Sequence, residues 1–171
     1  MTQRTFSILF IDIDDVIVLS RTAEFDKHAV GELSPAICQR LIHAPAGQAL
    51  MELLDEHPSR LVITSNWVRF TQKSAFERLF RLAGYERLSL SLHENWSAPR
   101  GSAATRVQVI DDWLATHHRG EPYCVIDDPA SGSSLLDSSH DKAGRVLLCD
   151  VGTGLHRGHL PFIRAALSKD A

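Results

Sequence analysis

The chain has no apolar run near the about 20 residues needed to cross a bilayer as a helix. Its 171 residues include only 3 cysteines, Cys38, Cys124 and Cys149, spaced for neither a zinc site nor a disulfide framework. Cys124 and Cys149 lie inside apolar runs and read as buried free thiols, the ordinary fate of isolated cysteines. Neither sign of charge dominates: 18 basic against 21 acidic residues give −3 with histidine neutral. That balance exerts no global pull toward nucleic acid or an anionic membrane. There is no internal repeat and no signal-peptide anatomy, and the expected compartment is the cytoplasm. What is present is an ordinary globular composition, 44% hydrophobic and 23% charged, in a length that suits one domain over 1–171 with a real core.

Acidic residues gather where apolar runs stop. ILFIDIDDVI (8–17) carries Asp12, Asp14 and Asp15, and YCVIDD (123–128) ends in Asp127 and Asp128. Carboxylates brought together repel, and each resists ionisation beside the other. A cation must offset them, and a hard divalent ion such as Mg2+ suits oxygen ligands best. Between these clusters, LVITSNW (61–67) ends in Thr64, Ser65 and Asn66. Hydroxyls, amides and exposed backbone N–H groups at a strand end can hold phosphate oxygens. Acid, hydroxyl, acid, each at the carboxyl end of a strand, is a metal-and-phosphate arrangement.

Five runs read as strands: 6–12, 60–64, 87–92, 123–127 and 145–149. Helical periodicity covers 46–57, 68–83, 103–117 and 160–168, with Gly84 as a natural stop and Ser102 or Thr105 as N-cap candidates. The alternation predicts an α/β fold: a doubly wound, mostly parallel five-stranded sheet with helices on both faces. The segments 93–102 and 129–144 read as loops, the second as a mobile one. The stretch between Asp15 and the second strand is too short for an independent domain, so any cap is minimal. In such sheets ligands bind beyond the carboxyl ends of strands where the strand order reverses. If the first and fourth strands are neighbours there, the two acidic clusters meet.

These residues resemble the haloacid dehalogenase-like (HAD) superfamily of phosphatases. Its opening pattern, an apolar strand followed by Asp-x-Asp-Gly, is matched by Asp12, Ile13 and Asp14; its second motif, a strand ending in Thr or Ser, by Thr64; its late acidic pair by Asp127 and Asp128. A narrower resemblance is to the small capless HAD domains associated with RNA-repair proteins, carried by TSNW (64–67), RVQVIDDWL (106–114), VIDD (125–128) and GTGL (152–155). It places the third-motif cation at Arg106, with Lys73 and Arg100 as alternatives. One departure stands out: Asp15 occupies the position usually held by Gly. Glycine is favoured where φ is positive, and Asp is among the better substitutes.

The resemblance implies a Mg2+-dependent phosphomonoesterase. Asp12 would be the nucleophile that forms an aspartyl-phosphate, and Asp14 the acid and then the base. Thr64, Ser65 and Arg106 would hold the phosphoryl oxygens, and Asp12, Asp14, Asp127 and Asp128 would make the metal site. Ile13 would turn its side chain away and offer a carbonyl toward the metal. An open site suits a phosphate on a bulky molecule, such as a nucleotide or a nucleic-acid terminus, with Arg69, Lys73, Arg100 and Arg106 guiding it; no membrane partner is implied. Trp67 reads as core more readily than as a stacking platform, and Trp96, in a polar segment, is the better exposed aromatic. His156 and His159 stand three apart in a glycine-rich stretch, a weak metal signal. The competing expectation is a catalytically weakened HAD-like or receiver-like phospho-acceptor or binding module. It is separated from the enzyme by turnover on a generic aryl phosphate.

Overall fold

Strand β1 (Ser7–Ile11) is buried along its whole length, which only a central position in a covered sheet permits. The computed structural model describes residues 6–19, 27–98 and 104–169. On either side of β1 lie β2 (Ser59–Ile63) and β4 (Tyr123–Asp127). The edges are β3 (Leu92–Ser97) and β5 (Val146–Leu148), giving the order β3-β2-β1-β4-β5. Every pairing is parallel.

The period-two alternation of a strand sorts the apolar residues into two layers. Leu9 and Ile11 face one layer with α1 (Pro35–Leu41), α2 (Ala44–Glu56), α3 (Lys73–Leu82) and α7 (Leu160–Leu167), among them Leu50, Phe76 and Ile163. Ile8 and Phe10 face the other, against Val109, Ile110 and Trp113 of α5 (Arg106–His117). There the Phe10 ring meets Trp113 edge-on at 5.1 Å, a geometry the aromatic quadrupole favours. Val30, Leu33, Cys38 and Leu41 also belong to the first core, so the described part of the insert after β1 packs into the body. No helix among the described residues is long and apolar enough to cross a membrane.

Three segments differ from their sequence reading. RLSLSL (87–92) is not a strand: Glu86–Leu90 forms helix α4, and β3 follows it from Leu92. Its leucines alternate as in a strand, but Leu88 and Leu92 are buried while Leu90 is 70% exposed. Spacing of four, not two, decides which leucines reach the core. The polar HENWS, read as loop, supplies the edge strand instead, with a register shift between Leu61 and Ile63 of β2. An edge needs backbone pairing on one side only and tolerates polar side chains. The 129–144 segment is not featureless: it holds a 3-10 turn (Ser133–Leu135) and α6 (Ser139–Lys142), with Leu135 and His140 buried. Helix α1, which the sequence reading omitted, is announced by Ser34 as N-cap and Pro35 in the first turn.

Candidate active site

Register brings the site together. Ile11 is paired with Ile63 on one side and Ile126 on the other. The next residues therefore stand level: the Asp12 amide donates to Ile126 O at 3.0 Å, and the Thr64 amide to Ile11 O at 3.0 Å. Between β1 and β4 the strand order reverses, and the crevice beyond them is where sheets of this kind bind ligands. Asp12, Asp127 and Asp128 meet there, all buried, each offering an oxygen within 4.8 Å of the others.

Arg106 is the counter-charge. It opens α5, whose N-cap Thr105 forms a reciprocal capping box with Gln108. Its guanidinium, 1% exposed, contacts Asp127 Oδ2 through Nε at 2.5 Å and Asp12 Oδ2 through Nη2 at 3.2 Å. It also donates to the carbonyl of Thr64. Of the alternatives for this place, Lys73 lies 4.0 Å from Glu77 and Arg100 is outside the described residues; Arg69, expected to guide the substrate, stands over the Phe70 ring.

One arginine among three buried carboxylates leaves an excess of negative charge, which the protonation equilibria register. Burial pushes Asp12 above its ordinary range against the pull of Arg106. Burial, reinforced by the charge of Asp12, pushes Asp127 up to about 8. Asp128 moves down instead: burial opposes its charge, but hydrogen bonds from the Ser131 side chain and from the Ser131 and Ala130 amides outweigh it. Those amides donate to Asp128 Oδ1 at 3.1 and 2.8 Å.

Thr64 adds a second signal. Its hydroxyl is fully buried beside the carboxylates' strand ends and has no hydrogen-bond partner among the described residues. Buried polar groups are nearly always satisfied, and an orphan points to a ligand that completes it. Ser65 bonds Asp12 through its side chain and accepts from the Trp67 amide at 3.4 Å. An all-oxygen set with an excess of negative charge fits a hard divalent ion. Among the described residues, Asp12, Asp127 and Asp128 form a trio that could hold one. The Asp14 carboxylate lies outside that trio and accepts from the Trp67 indole at 3.0 Å.

A family model for the HAD domain in Swiss Army Knife RNA repair proteins matches residues 8–160. The chain belongs to that family. No curated protein matches the sequence. Membership supports a HAD-type hydrolase in general terms, and the buried acidic trio could bind a metal.

Several details were legible only in part. Asp15, standing in for glycine, adopts φ 55°, the left-handed conformation its position demands. Ile13 does bury its side chain, but its carbonyl accepts from the amides of Ile17 and Val18 at 3.0 and 2.9 Å and is committed to the turn. Trp67 is buried at 1% exposure and is no open platform. Trp96 is partly buried, 5.4 Å from the Phe76 ring, and no open platform either. His156 and His159 stack at 4.0 Å, and their Nδ1 atoms accept from the turn's own amides. The contact between Trp67 and Asp14, 53 residues apart in the chain, had no sequence signal beyond the tryptophan's place in TSNW.

Proposed function

We propose that this HAD domain is a Mg2+-dependent phosphomonoesterase that works through an aspartyl-phosphate on Asp12. The observation that carries the reading is the pairing of Asp12 with two further buried carboxylates and with an unsatisfied threonine hydroxyl one strand away. A divalent ion held by Asp12, Asp127 and Asp128 would neutralise charge between nucleophile and phosphate.

The Asp12 carboxylate attacks phosphorus in line, and a bond from carboxylate oxygen to phosphorus forms as the ester P–O bond breaks. Asp14 gives its proton to the departing oxygen. It then takes a proton from the water that cleaves the acyl phosphate, returning Asp12 to a carboxylate and releasing inorganic phosphate. Thr64 Oγ1 and Ser65 hold phosphoryl oxygens as charge shifts. Arg106, fixed by Asp12, Asp127 and the Thr64 carbonyl, keeps the nucleophile oriented and balances the negative charge around it.

The substrate class favoured is a phosphate on a nucleotide or a nucleic-acid terminus. Two things support it: the small insert after β1, much of it packed into the body, and the RNA-repair context of the family. A cytoplasmic setting is supported by Cys38, Cys124 and Cys149, all buried free thiols. The test is phosphate release from an aryl phosphate and from 5′- and 3′-phosphorylated oligonucleotides, with Mg2+ and with excess EDTA. Asp12→Asn is expected to abolish release while leaving the circular dichroism spectrum unchanged. Full activity in that variant, or in EDTA, would overturn the mechanism; a single turnover without further release would mark a phospho-acceptor module instead.

A further inference from the structure

Trp67 follows Thr64 and Ser65 in the loop after β2, and its indole reaches across to the turn after β1. Its indole Nε1–H donates to Asp14 Oδ2 at 3.0 Å. The ring is 1% exposed and lies on Phe76 at a centroid distance of 6.4 Å and an interplanar angle of 30°. Phe76 in turn touches Phe80 and Trp96. The donor therefore rests on a packed aromatic cluster built by α3 and β3, with little freedom to turn. Its backbone is fixed too, because the Trp67 amide donates to the Ser65 hydroxyl at 3.4 Å. One residue thus ties the loop after β2 to the turn after β1.

We infer that Trp67 is a positioning residue for the proton transfers assigned to Asp14, an inference that rests on the phosphatase reading above. Indole N–H is a donor only and never an acceptor. The oxygen it meets must keep a lone pair toward it in every state of the cycle. When Asp14 is the acid, its carbonyl oxygen is the stronger acceptor, so the indole N–H at Oδ2 favours the proton on Oδ1, from which it passes to the leaving oxygen as the ester bond breaks. When Asp14 is the base, Oδ1 takes the proton from water. The same hydrogen bond survives both steps, so the carboxyl group does not rotate between them. A proton donor held in the reacting geometry is worth far more than one that must find it.

The control is built into the molecule. Trp113 is also buried, at 4%, but its indole N–H goes to the carbonyl of Asn95 at 2.9 Å, away from the carboxylates. Removing either indole with phenylalanine costs packing; only Trp67→Phe should disturb proton delivery.

The experiment compares kcat/KM for p-nitrophenyl phosphate, whose leaving group departs with little help, and for an alkyl phosphate, whose leaving group needs a proton. In Trp67→Phe the alkyl substrate is expected to lose about tenfold more than the aryl one, whereas in Trp113→Phe the two should change alike. An equal loss on both substrates in Trp67→Phe, or no loss, would overturn the inference and leave the phosphatase reading standing. Failure of the wild type to release phosphate from either substrate would overturn both. Should Trp67→Phe not fold, the indole N–H proton resonances of wild type and Asp14→Ala decide the matter. The Trp67 signal is expected to shift upfield when its acceptor is removed, and an unmoved signal would rule the contact out.

Discussion

Arg106 and Asp127 form an ion pair at 2.5 Å in which the side chains are 1% and 0% exposed. Such a pair is costly to desolvate, and breaking it by deleting one partner leaves an uncompensated buried charge. Here the deletion would strip the guanidinium from the carboxyl groups of Asp12, Asp127 and Asp128, whose shared negative charge persists whichever of them holds a proton. Arg106→Met is therefore expected to destabilise the metal-free protein by about 3–5 kcal/mol, read by urea denaturation in EDTA. Added Mg2+ should recover part of the loss. Arg106→Lys keeps the charge but cannot span Asp12, Asp127 and the Thr64 carbonyl at once, because an ammonium lacks the planar fork. It should fall between the two.

Asp127 sets a pH dependence. Its carboxyl is pushed up to about 8, first by burial and then by Asp12. The folded, metal-free protein thus keeps a proton that the unfolded chain gives up in the ordinary carboxylate range. This contribution to stability is fully present below that range and is lost as pH rises through about 8. The thermal midpoint in EDTA should fall from about pH 4 to about pH 8 and level off above it, and Asp127→Asn should flatten the fall. Metal binding must displace the same proton, so Mg2+ affinity should increase over this window. Calorimetry in buffers of different ionisation enthalpy would count the protons released.

Asp15 tests the departure from glycine at the turn. At φ 55° a β-branched side chain is strained, and Asp15→Val is expected to cost about 1–2 kcal/mol. Asp15→Gly should lie within about 1 kcal/mol of wild type, because freedom at positive φ is offset by greater entropy in the unfolded chain. If phosphate release in Asp15→Gly matches wild type, the extra carboxylate is a conformational substitute and takes no part in the chemistry.

Gly132 supports the acidic pair from behind. A Cβ there would come within 2.8 Å of Leu148 Cδ2, 2.9 Å of Asp128 O and 3.0 Å of Asp127 Cβ. Two of those three neighbours belong to the pair itself and cannot retreat without moving a carboxylate. Gly132→Ala should cost about 1–3 kcal/mol and weaken Mg2+ binding beyond its effect on folding. Isothermal titration at a temperature well below the melting midpoint would separate the two.

The sequence by itself determined the strands that form the middle of the sheet, because continuous apolar runs such as ILFI and CVI have no other way to be buried on both faces. It also determined which carboxylates and hydroxyls end them, since residue order alone puts Asp12, Thr64 and Asp127 just at the carboxyl ends of β1, β2 and β4. It misled at the edge, where Leu88, Leu90 and Leu92 mimic a strand and the polar HENWS conceals one. Edge elements draw their stability from neighbours already in place, and no local pattern encodes that. The tertiary structure alone decided that β1 lies beside β4, that Arg106 stands between Asp12 and Asp127, and that the Trp67 indole reaches Asp14. Those are contacts between residues tens of positions apart, fixed by register and by which helix covers which face; a chain read in one dimension carries no measure of either.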